Sequence, residues 1–319
     1  MKLRIGFLKL PKNFLKMPKI GESGYSYTNI RVKYRKDLLL KPEIFQKLMK
    51  MSNLSEITSY LEQTVYKKEI DELKTKFSDI NLIEYALNRN LEWTFQKIIS
   101  FSLEKAKEQI KLYLRRYDVA NIKTIIRGKD SKASDEKIIN ELIACGEFTR
   151  DFLEKVVRNS RDINEAIEFF KETEYYDILK KINNDLSKLE DELDKFYYKR
   201  MLKLAEGGLK KYIRSEIWVK NTLNKLRGQK DKIKVELIQG EKPEKINIPL
   251  KEDNIETRVF LKKLLISKCL KMIDRFKTNV QYLLGYLVAK ENEVNNIRII
   301  ARGKYSGLSE ELMAKELVF

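Results

Sequence analysis

The sequence has 319 residues, with 65 Lys or Arg against 47 Asp or Glu, so its formal net charge at pH 7 is +18. Its 12 glycines and 5 prolines are about half the usual share of residues that interrupt helices, which excludes a β-sandwich or β-barrel and predicts an all-α fold. No histidine is present, which excludes histidine-based catalytic triads and histidine metal ligands. The two cysteines, Cys145 and Cys269, form no CxxC pair and lie among apolar residues, as structural thiols in a reducing, intracellular setting do. We therefore expect no catalytic residue, no cofactor and no metal.

The N-terminal segment MKLRIGFLKLPKNFLKMPKIG carries only positive charges. Lys9 and Lys12 interrupt the apolar core that a signal peptide needs. Residues 278–289, the longest uncharged stretch, are fewer than the roughly 20 residues that cross a bilayer. We therefore expect a soluble chain whose first 19 residues are either a poorly ordered arm or a contact with anionic lipid or a membrane ring.

Apolar residues recur at helical spacing in three long segments, taken here in chain order. The pattern predicts helices over about residues 91–127, 167–206 and 259–304. Residues 230–257 contain Gly240, Pro243 and Pro249, which predict a connecting loop, within which residues 234–238 fit a short strand.

An internal repeat is the most informative pattern in the sequence. Each of the three Arg-Gly pairs, at 127, 227 and 302, follows an asparagine by six residues, and a weaker fourth copy joins Asn29 to Arg35. Two before, one after and five after each asparagine, the residues fall on one helical face. These residues are Val119, Ile122 and Ile126; Val219, Thr222 and Leu226; Val294, Ile297 and Ala301; and Tyr27, Ile30 and Tyr34. Residues 141–147 (ELIACGE) are echoed by residues 236–241 (ELIQGE).

These spacings predict three helical modules of about one hundred residues. We place them at residues 1–108 with the basic N-terminal arm, 109–208, and 209–319 with a closing copy of the motif. In the structural interpretation of each copy, the arginine suits the negative end of the helix dipole and the glycine suits a left-handed cap. The asparagine is then a hydrogen-bonding position between helices.

Four stretches resemble the C subunit of the archaeal-type and bacterial V-type ATPase (the A-type ATP synthase), whose eukaryotic counterpart is the d subunit of the V-ATPase. They are residues 24–39 (GYSYTNIRVKYRKDLL), 115–129 (RRYDVANIKTIIRGK), 189–201 (LEDELDKFYYKRM) and 285–313 (GYLVAKENEVNNIRIIARGKYSGLSEELM). The last is the most specific. The lysine-rich first twenty residues depart from the family pattern, as does Glu216-Ile217-Trp218 before Asn221.

The resemblance implies three similar helical modules around a pseudo-threefold axis, forming a funnel. It implies a non-catalytic, peripheral adaptor on the cytoplasmic face of the membrane, between the proteolipid rotor ring and the central shaft made by the D and F subunits. Such an adaptor transmits torque for ion transport coupled to ATP hydrolysis or synthesis, and binds neither nucleotide nor nucleic acid directly. The absence of a GxxxxGK[ST] loop agrees with this.

The repeated helix ends supply the candidate partner-binding residues, Arg127, Arg227, Arg302 and Lys304. In a pseudo-threefold arrangement their charges would gather at one opening and attract an acidic shaft tip.

Two alternatives come from other functional classes. The excess of positive charge and the 16 tyrosines suit a nucleic-acid-binding helical protein, although acids and bases alternate along every predicted helix. Glu291 with Glu293, or Glu310 with Glu311, could be paired carboxylates of a hydrolase or transferase, but adjacent charges on helices are usually solvated faces.

Overall fold

The computed structural model describes residues 26–181, 185–231, 254–275 and 280–319, and all regular secondary structure within these ranges is α-helical. The predicted all-α class is confirmed. The predicted strand at residues 234–238 and the basic N-terminal arm lie outside the described residues. Of the loop predicted over residues 230–257, the two ends belong to helices that end at Asp231 and begin at Ile255, and residues 232–253 lie outside the described part. None of the described helices is both long enough and apolar enough to span a bilayer.

The described helices are, in chain order, α1 (Ser26–Asp37), α2 (Pro42–Lys50), α3 (Leu54–Leu61), α4 (Lys67–Leu73), α5 (Asp79–Phe101), α6 (Glu104–Asp130), α7 (Asp135–Glu141), α8 (Arg150–Asn159), α9 (Ile163–Glu168), α10 (Tyr176–Leu179), α11 (Leu186–Leu204), α12 (Gly207–Asp231), α13 (Ile255–Arg275), α14 (Val280–Tyr305) and α15 (Glu310–Glu316).

The helical segment predicted over residues 91–127 is helical in the structure but divided, because α5 ends at Phe101 and α6 begins at Glu104. Neither glycine nor proline marks this break. The hydroxyl of the buried Ser102 donates to the carbonyl of Ile98 at 2.6 Å, and the Ser102 backbone is extended. The next amide, of Leu103, donates to the hydroxyl of Thr28 in α1 at 3.4 Å. A serine hydroxyl competes with backbone amides for helix carbonyls, and here it helps to end α5. The contact between Leu103 and Thr28 completes the break, which the apolar spacing alone does not reveal.

The helix predicted over residues 167–206 is also interrupted, since α9, α10 and α11 share this part of the chain. Asp162 and Asp185 cap the amino ends of α9 and α11 by accepting from the amides of Glu165 and Lys188. Between the caps, the hydroxyl of Thr173 donates to the carbonyl of Phe170 at 2.7 Å in a turn. Local side-chain hydrogen bonds therefore divide a segment whose apolar spacing is continuous. The third predicted helix corresponds to α13 and α14, with residues 276–279 between them outside the described part.

The repeat motifs lie in α6, α12 and α14. The contacts of these three helices form a cycle through α11, α13 and α5. The helix α6 packs against α11, which precedes α12; α12 packs against α13, which precedes α14; and α14 packs against α5, which precedes α6. The buried apolar side chains form one hydrophobic cluster that extends from Val32 to Val318. This packing brings the middles of the three motif helices near one another. The division into three modules around an axis stays a prediction.

Candidate functional site: the repeat motifs and their junction

The motif asparagines bind the backbone of a segment that returns after a short helix. The Asn121 amide donates to the Ile143 carbonyl and its oxygen accepts from the Ile143 amide, both at 2.9 Å. Asn296 makes the same pair of bonds with Val318, at 2.8 and 3.2 Å. In both copies the partner lies 22 residues later. The asparagine is thus a buried hydrogen-bonding position, as predicted, but its partner is the chain just after α7 or α15 and not another helix.

The motif glycines allow this short helix to approach closely. A Cβ atom on Gly128 would lie 2.4 Å from Cγ1 of Ile138, and one on Gly303 would lie 2.4 Å from Sδ of Met313. The helices continue past both glycines, to Asp130 and Tyr305. The left-handed residues come four positions after the glycines, at Lys132 (φ 53°) and Gly307 (φ 69°). The predicted role of the Arg-Gly glycine as a left-handed cap is therefore wrong, and its role is close packing.

The motif arginines pair with a neighbouring helix. Arg127 of α6 forms a two-bond ion pair with Glu190 of α11. Arg302 of α14 forms the same kind of pair with Glu84 of α5. Each arginine side chain keeps about 60% of its surface exposed (62% and 61%). The arginines therefore do more than face the helix dipole, because each joins two long helices through a planar guanidinium–carboxylate contact.

Of the other two predicted partner-binding residues, the structure describes the side chain of Lys304 but not that of Arg227. Arg227 lies in α12, but its side chain is outside the described part. Lys304 lies half-buried in the last turn of α14. The partner-binding role of Arg127, Arg227, Arg302 and Lys304 stays a prediction.

The weak fourth copy of the motif does not share the buried face of the others. In α1, Tyr27, Ile30 and Tyr34 are exposed by 49%, 73% and 69%. The corresponding residues of α6 and α14 are all buried; they are Val119, Ile122, Ile126, Val294, Ile297 and Ala301. Similar spacing thus places α1 in a different environment.

Three equivalent positions of the repeat meet where the motif helices come together. The residue five before each asparagine is Arg116 in α6, Glu216 in α12 and Glu291 in α14. The Arg116 guanidinium donates to both oxygens of Glu216, at 3.0 and 2.9 Å, and lies 4.0 Å from the nearer oxygen of Glu291. We call these three residues the central junction. Because the three side chains differ in type, the repeat pattern in the sequence did not reveal it; the constant offset from the asparagine is the signal that would have.

Tyrosines from α6 complete the central junction. The hydroxyls of Tyr113 and Tyr117 each donate to one oxygen of Glu291, at 2.8 Å. Burial raises the pKa of Glu291, while Arg116 and the two hydroxyls act in the opposite direction. Burial alone would lower the pKa of Arg116, but the charge of Glu216 and the neighbouring tyrosines leave it raised. The Arg116–Glu216 pair therefore locks α6 to α12 through two charge-assisted hydrogen bonds.

The central junction lines a cavity of about 400 Å³. The other polar or charged residues of its wall are Tyr117, Tyr212, Lys262, Asn292, Asn295 and Arg298, and the apolar ones are Leu91, Ala120, Ile143, Leu265, Ile266, Val288 and Val294. Asn295 and Arg298 also line a neighbouring cavity of about 210 Å³ that includes Arg302. All three motif helices contribute side chains to this region.

The carboxylates offered as a catalytic pair have separate structural partners. Glu291 belongs to the central junction, whereas Glu293 binds Lys290 at 2.6 Å, accepts from the Tyr66 hydroxyl and accepts from the Leu40 amide. Both Lys290 and Glu293 are buried. The expectation that this pair lies on a solvated helix face is therefore wrong: Glu293 attaches the segment after α1 to α14. Glu310 and Glu311 are exposed in the first turn of α15, where negative charge suits the helix dipole.

Comparison with known proteins gives one consistent answer. The model of the ATP synthase (C/AC39) subunit family matches residues 28–249 and 241–316. The chain belongs to this family. The C subunit of the A-type ATP synthase from Methanosarcina mazei is 33% identical, with 97% of each chain covered. That of Methanosarcina acetivorans is 33% identical with 97% of each covered, and that of Archaeoglobus fulgidus is 33% identical with 93% of this chain and 97% of its own covered.

Membership in the ATP synthase (C/AC39) subunit family confirms the resemblance first seen in residues 24–39, 115–129, 189–201 and 285–313. It identifies the chain as a non-catalytic subunit of a rotary ATPase. The repeat motifs and the central junction therefore have to be understood as parts of a subunit that works through contacts with other proteins.

Proposed function

We propose that the chain is the central-stalk adaptor of an A/V-type rotary ATPase, joining the proteolipid rotor ring to the central shaft made by the D and F subunits. The observation that carries this proposal is its similarity to the C subunit of A-type ATP synthases over nearly the full length of both chains. In this role it transmits torque between ion transport in the membrane and ATP synthesis or hydrolysis. It works as a peripheral subunit on the cytoplasmic face of the membrane.

The packing of the motif helices supports a part that carries load. Long helices joined by side-chain pairs resist relative rotation, and here the pairs recur between α6 and α11 and between α14 and α5. The Arg116–Glu216 pair adds a third fixed connection, between α6 and α12. Close packing with few voids transmits strain instead of absorbing it. A funnel of three modules around a pseudo-threefold axis is the arrangement we propose for these helices.

The decisive experiment is reconstitution with the shaft. Binding of the full chain to the purified D–F complex from the same organism is followed by isothermal titration calorimetry. Binding of the full chain to detergent-solubilised rotor rings is followed by cosedimentation. We expect saturable binding to both and no ATP turnover by the isolated chain. Failure to bind either one would overturn the proposal. Salt-sensitive retention of RNA instead would favour the nucleic-acid alternative.

A variant at the end of α14 tests the proposed partner-binding residues Arg127, Arg227, Arg302 and Lys304. We expect Arg302→Glu with Lys304→Glu to weaken shaft binding, and more so at low salt, because cations at this helix end would steer an acidic partner. Thermal melts followed by circular dichroism serve as the control. A lowered melting temperature with unchanged shaft affinity would show that Arg302 acts only through Glu84.

A further inference from the structure

The cavity lined by the central junction, called the central cavity below, has more positively than negatively charged side chains in its wall. Among the described residues, its wall carries three cations, Arg116, Lys262 and Arg298, and two carboxylates, Glu216 and Glu291. With all five ionised, the cavity has one positive charge in excess. Since charge in a half-buried site is only partly screened by solvent, this excess favours the entry of one negative group.

The two carboxylates are already satisfied. Both oxygens of Glu216 accept from the Arg116 guanidinium, at 3.0 and 2.9 Å. The two oxygens of Glu291 accept from the hydroxyls of Tyr113 and Tyr117, at 2.8 Å. These acids therefore have little capacity left for the other two cations.

Lys262 and Arg298 are the cations with spare donors. Within the described part of the chain, Lys262 forms no ion pair or hydrogen bond. Arg298 donates one Nη2 bond to Asn88, at 2.7 Å. Both side chains are half-buried. Burial lowers the pKa of each; the charge of Glu291 acts against this at Lys262 and that of Glu84 at Arg298. The pair thus lies desolvated on the cavity wall, near carboxylates that do not occupy its spare donors.

We propose that the central cavity receives one carboxylate side chain of the shaft, held between Lys262 and Arg298. This inference rests on the proposed function. The occupant is a protein acid because the proposed partner is a protein, and one carboxylate can accept from both cations while it neutralises the single excess charge. The apolar remainder of the wall, including Leu91, Ala120 and Val288, suits the stem of a side chain that enters with it. The same contact determines where on this subunit an acidic shaft end binds.

The test uses the full chain and the D–F shaft complex. Lys262→Gln removes one charge, Lys262→Arg keeps it, and Lys263→Gln changes the exposed neighbouring lysine as the matched control. We expect Lys262→Gln to raise the shaft Kd by roughly 10-fold or more and to reduce its salt dependence, since truncating one partner of a buried charge pair acts strongly on affinity. Lys262→Arg and Lys263→Gln should stay within about 2-fold of the wild type. Arg298→Gln should weaken binding in the same direction.

Three results would overturn the inference. Equal shaft affinity of the wild type and Lys262→Gln would refute the cavity contact while leaving the adaptor function standing. Absence of shaft binding by the wild type would refute both. A melting temperature that inorganic phosphate raises in the wild type but not in Lys262→Gln, together with unchanged shaft affinity, would assign the cavity to a small anion.

Discussion

At the scale of single residues, the repeat is a set of hydrogen bonds and close contacts that recur 175 residues apart, between positions 121 and 296. Asn121 and Asn296 satisfy both backbone groups of one residue in a segment that belongs to no helix. Buried backbone groups outside regular structure need such partners. In each copy the asparagine is therefore the partner that allows the backbone amide of the returning segment to be buried.

Replacing the asparagine tests this dependence. We expect Asn121→Ala to lower the free energy of unfolding by about 1–3 kcal/mol, because it leaves the amide of Ile143 without a partner, while the Ile143 carbonyl keeps the bond from the Cys145 amide. Asn296→Ala should have a similar effect through the amide of Val318, since the Val318 carbonyl still accepts from the Asn292 side chain. Urea unfolding measures both. Asn140→Ala is the matched control, since the Asn140 side chain donates to the Glu136 carbonyl of its own helix; an equal loss in all three variants would contradict the argument.

The two motif glycines should respond differently to alanine. Alanine gains about 1 kcal/mol over glycine inside a helix, but at position 128 its Cβ would press on Ile138, a β-branched side chain with little rotamer freedom. At position 303 it would press on the flexible Met313. We therefore expect Gly128→Ala to destabilise by about 1–2 kcal/mol and Gly303→Ala to be nearly neutral.

Thermal or urea unfolding of the two alanine variants measures this difference. A double-mutant cycle of Gly128→Ala with Ile138→Ala should show a favourable coupling, because the smaller residue removes the clash. If Gly303→Ala is the more damaging change, the assignment of both glycines to close packing has to be abandoned.

At the scale of elements, the central junction joins α6, α12 and α14 through one guanidinium. Arg116→Leu should lower the free energy of unfolding by about 3–5 kcal/mol, because it leaves Glu216 half-buried without its cation. The double variant Arg116→Leu with Glu216→Leu should recover much of this loss, since an apolar pair can replace an ion pair.

Chemical unfolding of the single and double junction variants checks the expectation. Arg89→Leu, at an exposed position of α5, is the matched control. Additive losses in Arg116→Leu and Glu216→Leu would mean that the two side chains are not coupled and that α6 and α12 are held by apolar packing alone.

Much of the element structure could be predicted from the sequence, and the exceptions have physical reasons. Scarce glycine and proline and the helical spacing predicted the all-α class, and the Asn-to-Arg spacing located α6, α12 and α14. The break at Ser102 could not be found in this way, because it depends on a contact with Thr28 in α1. The central junction was missed because contact between repeats depends on how helices pack, which the residue types of Arg116, Glu216 and Glu291 do not encode.

At the scale of the whole molecule, Asp118 makes stability depend on pH. Its carboxylate is fully buried and accepts from the amides of Glu147 and Phe148, at 2.9–3.1 Å. Burial raises its pKa from 3.8 to about 7, although those amides act in the opposite direction. Between pH 3.8 and about 7, the folded state therefore keeps a proton on Asp118 that the unfolded state has released. We expect the contribution of Asp118 to stability to fall as the pH rises from about 4 to 7 and to stay constant above pH 7.

The measurement is the difference in unfolding free energy between the wild type and Asp118→Asn across pH 4–9. Because the chain has no histidine, few other side chains titrate near neutrality, so the slope can be assigned. Asp191→Asn, at an exposed position of α11, is the control. A stability difference that does not vary between pH 5 and 7 would show that Asp118 is ionised throughout this range.

The central junction also limits how such a chain could have arisen. If the copies containing Asn121, Asn221 and Asn296 descend from one duplicated ancestor, then Arg116, Glu216 and Glu291 descend from one codon. An identical charged residue at all three positions would have put like charges where the Arg116 guanidinium now lies 2.9 Å from Glu216 and 4.0 Å from Glu291, a repulsion that few folds tolerate. The ancestral residue was therefore uncharged, or the copies diverged before the position acquired charge. A self-assembling trimer of single repeats could not have had this junction; it requires three copies that mutate independently within one gene.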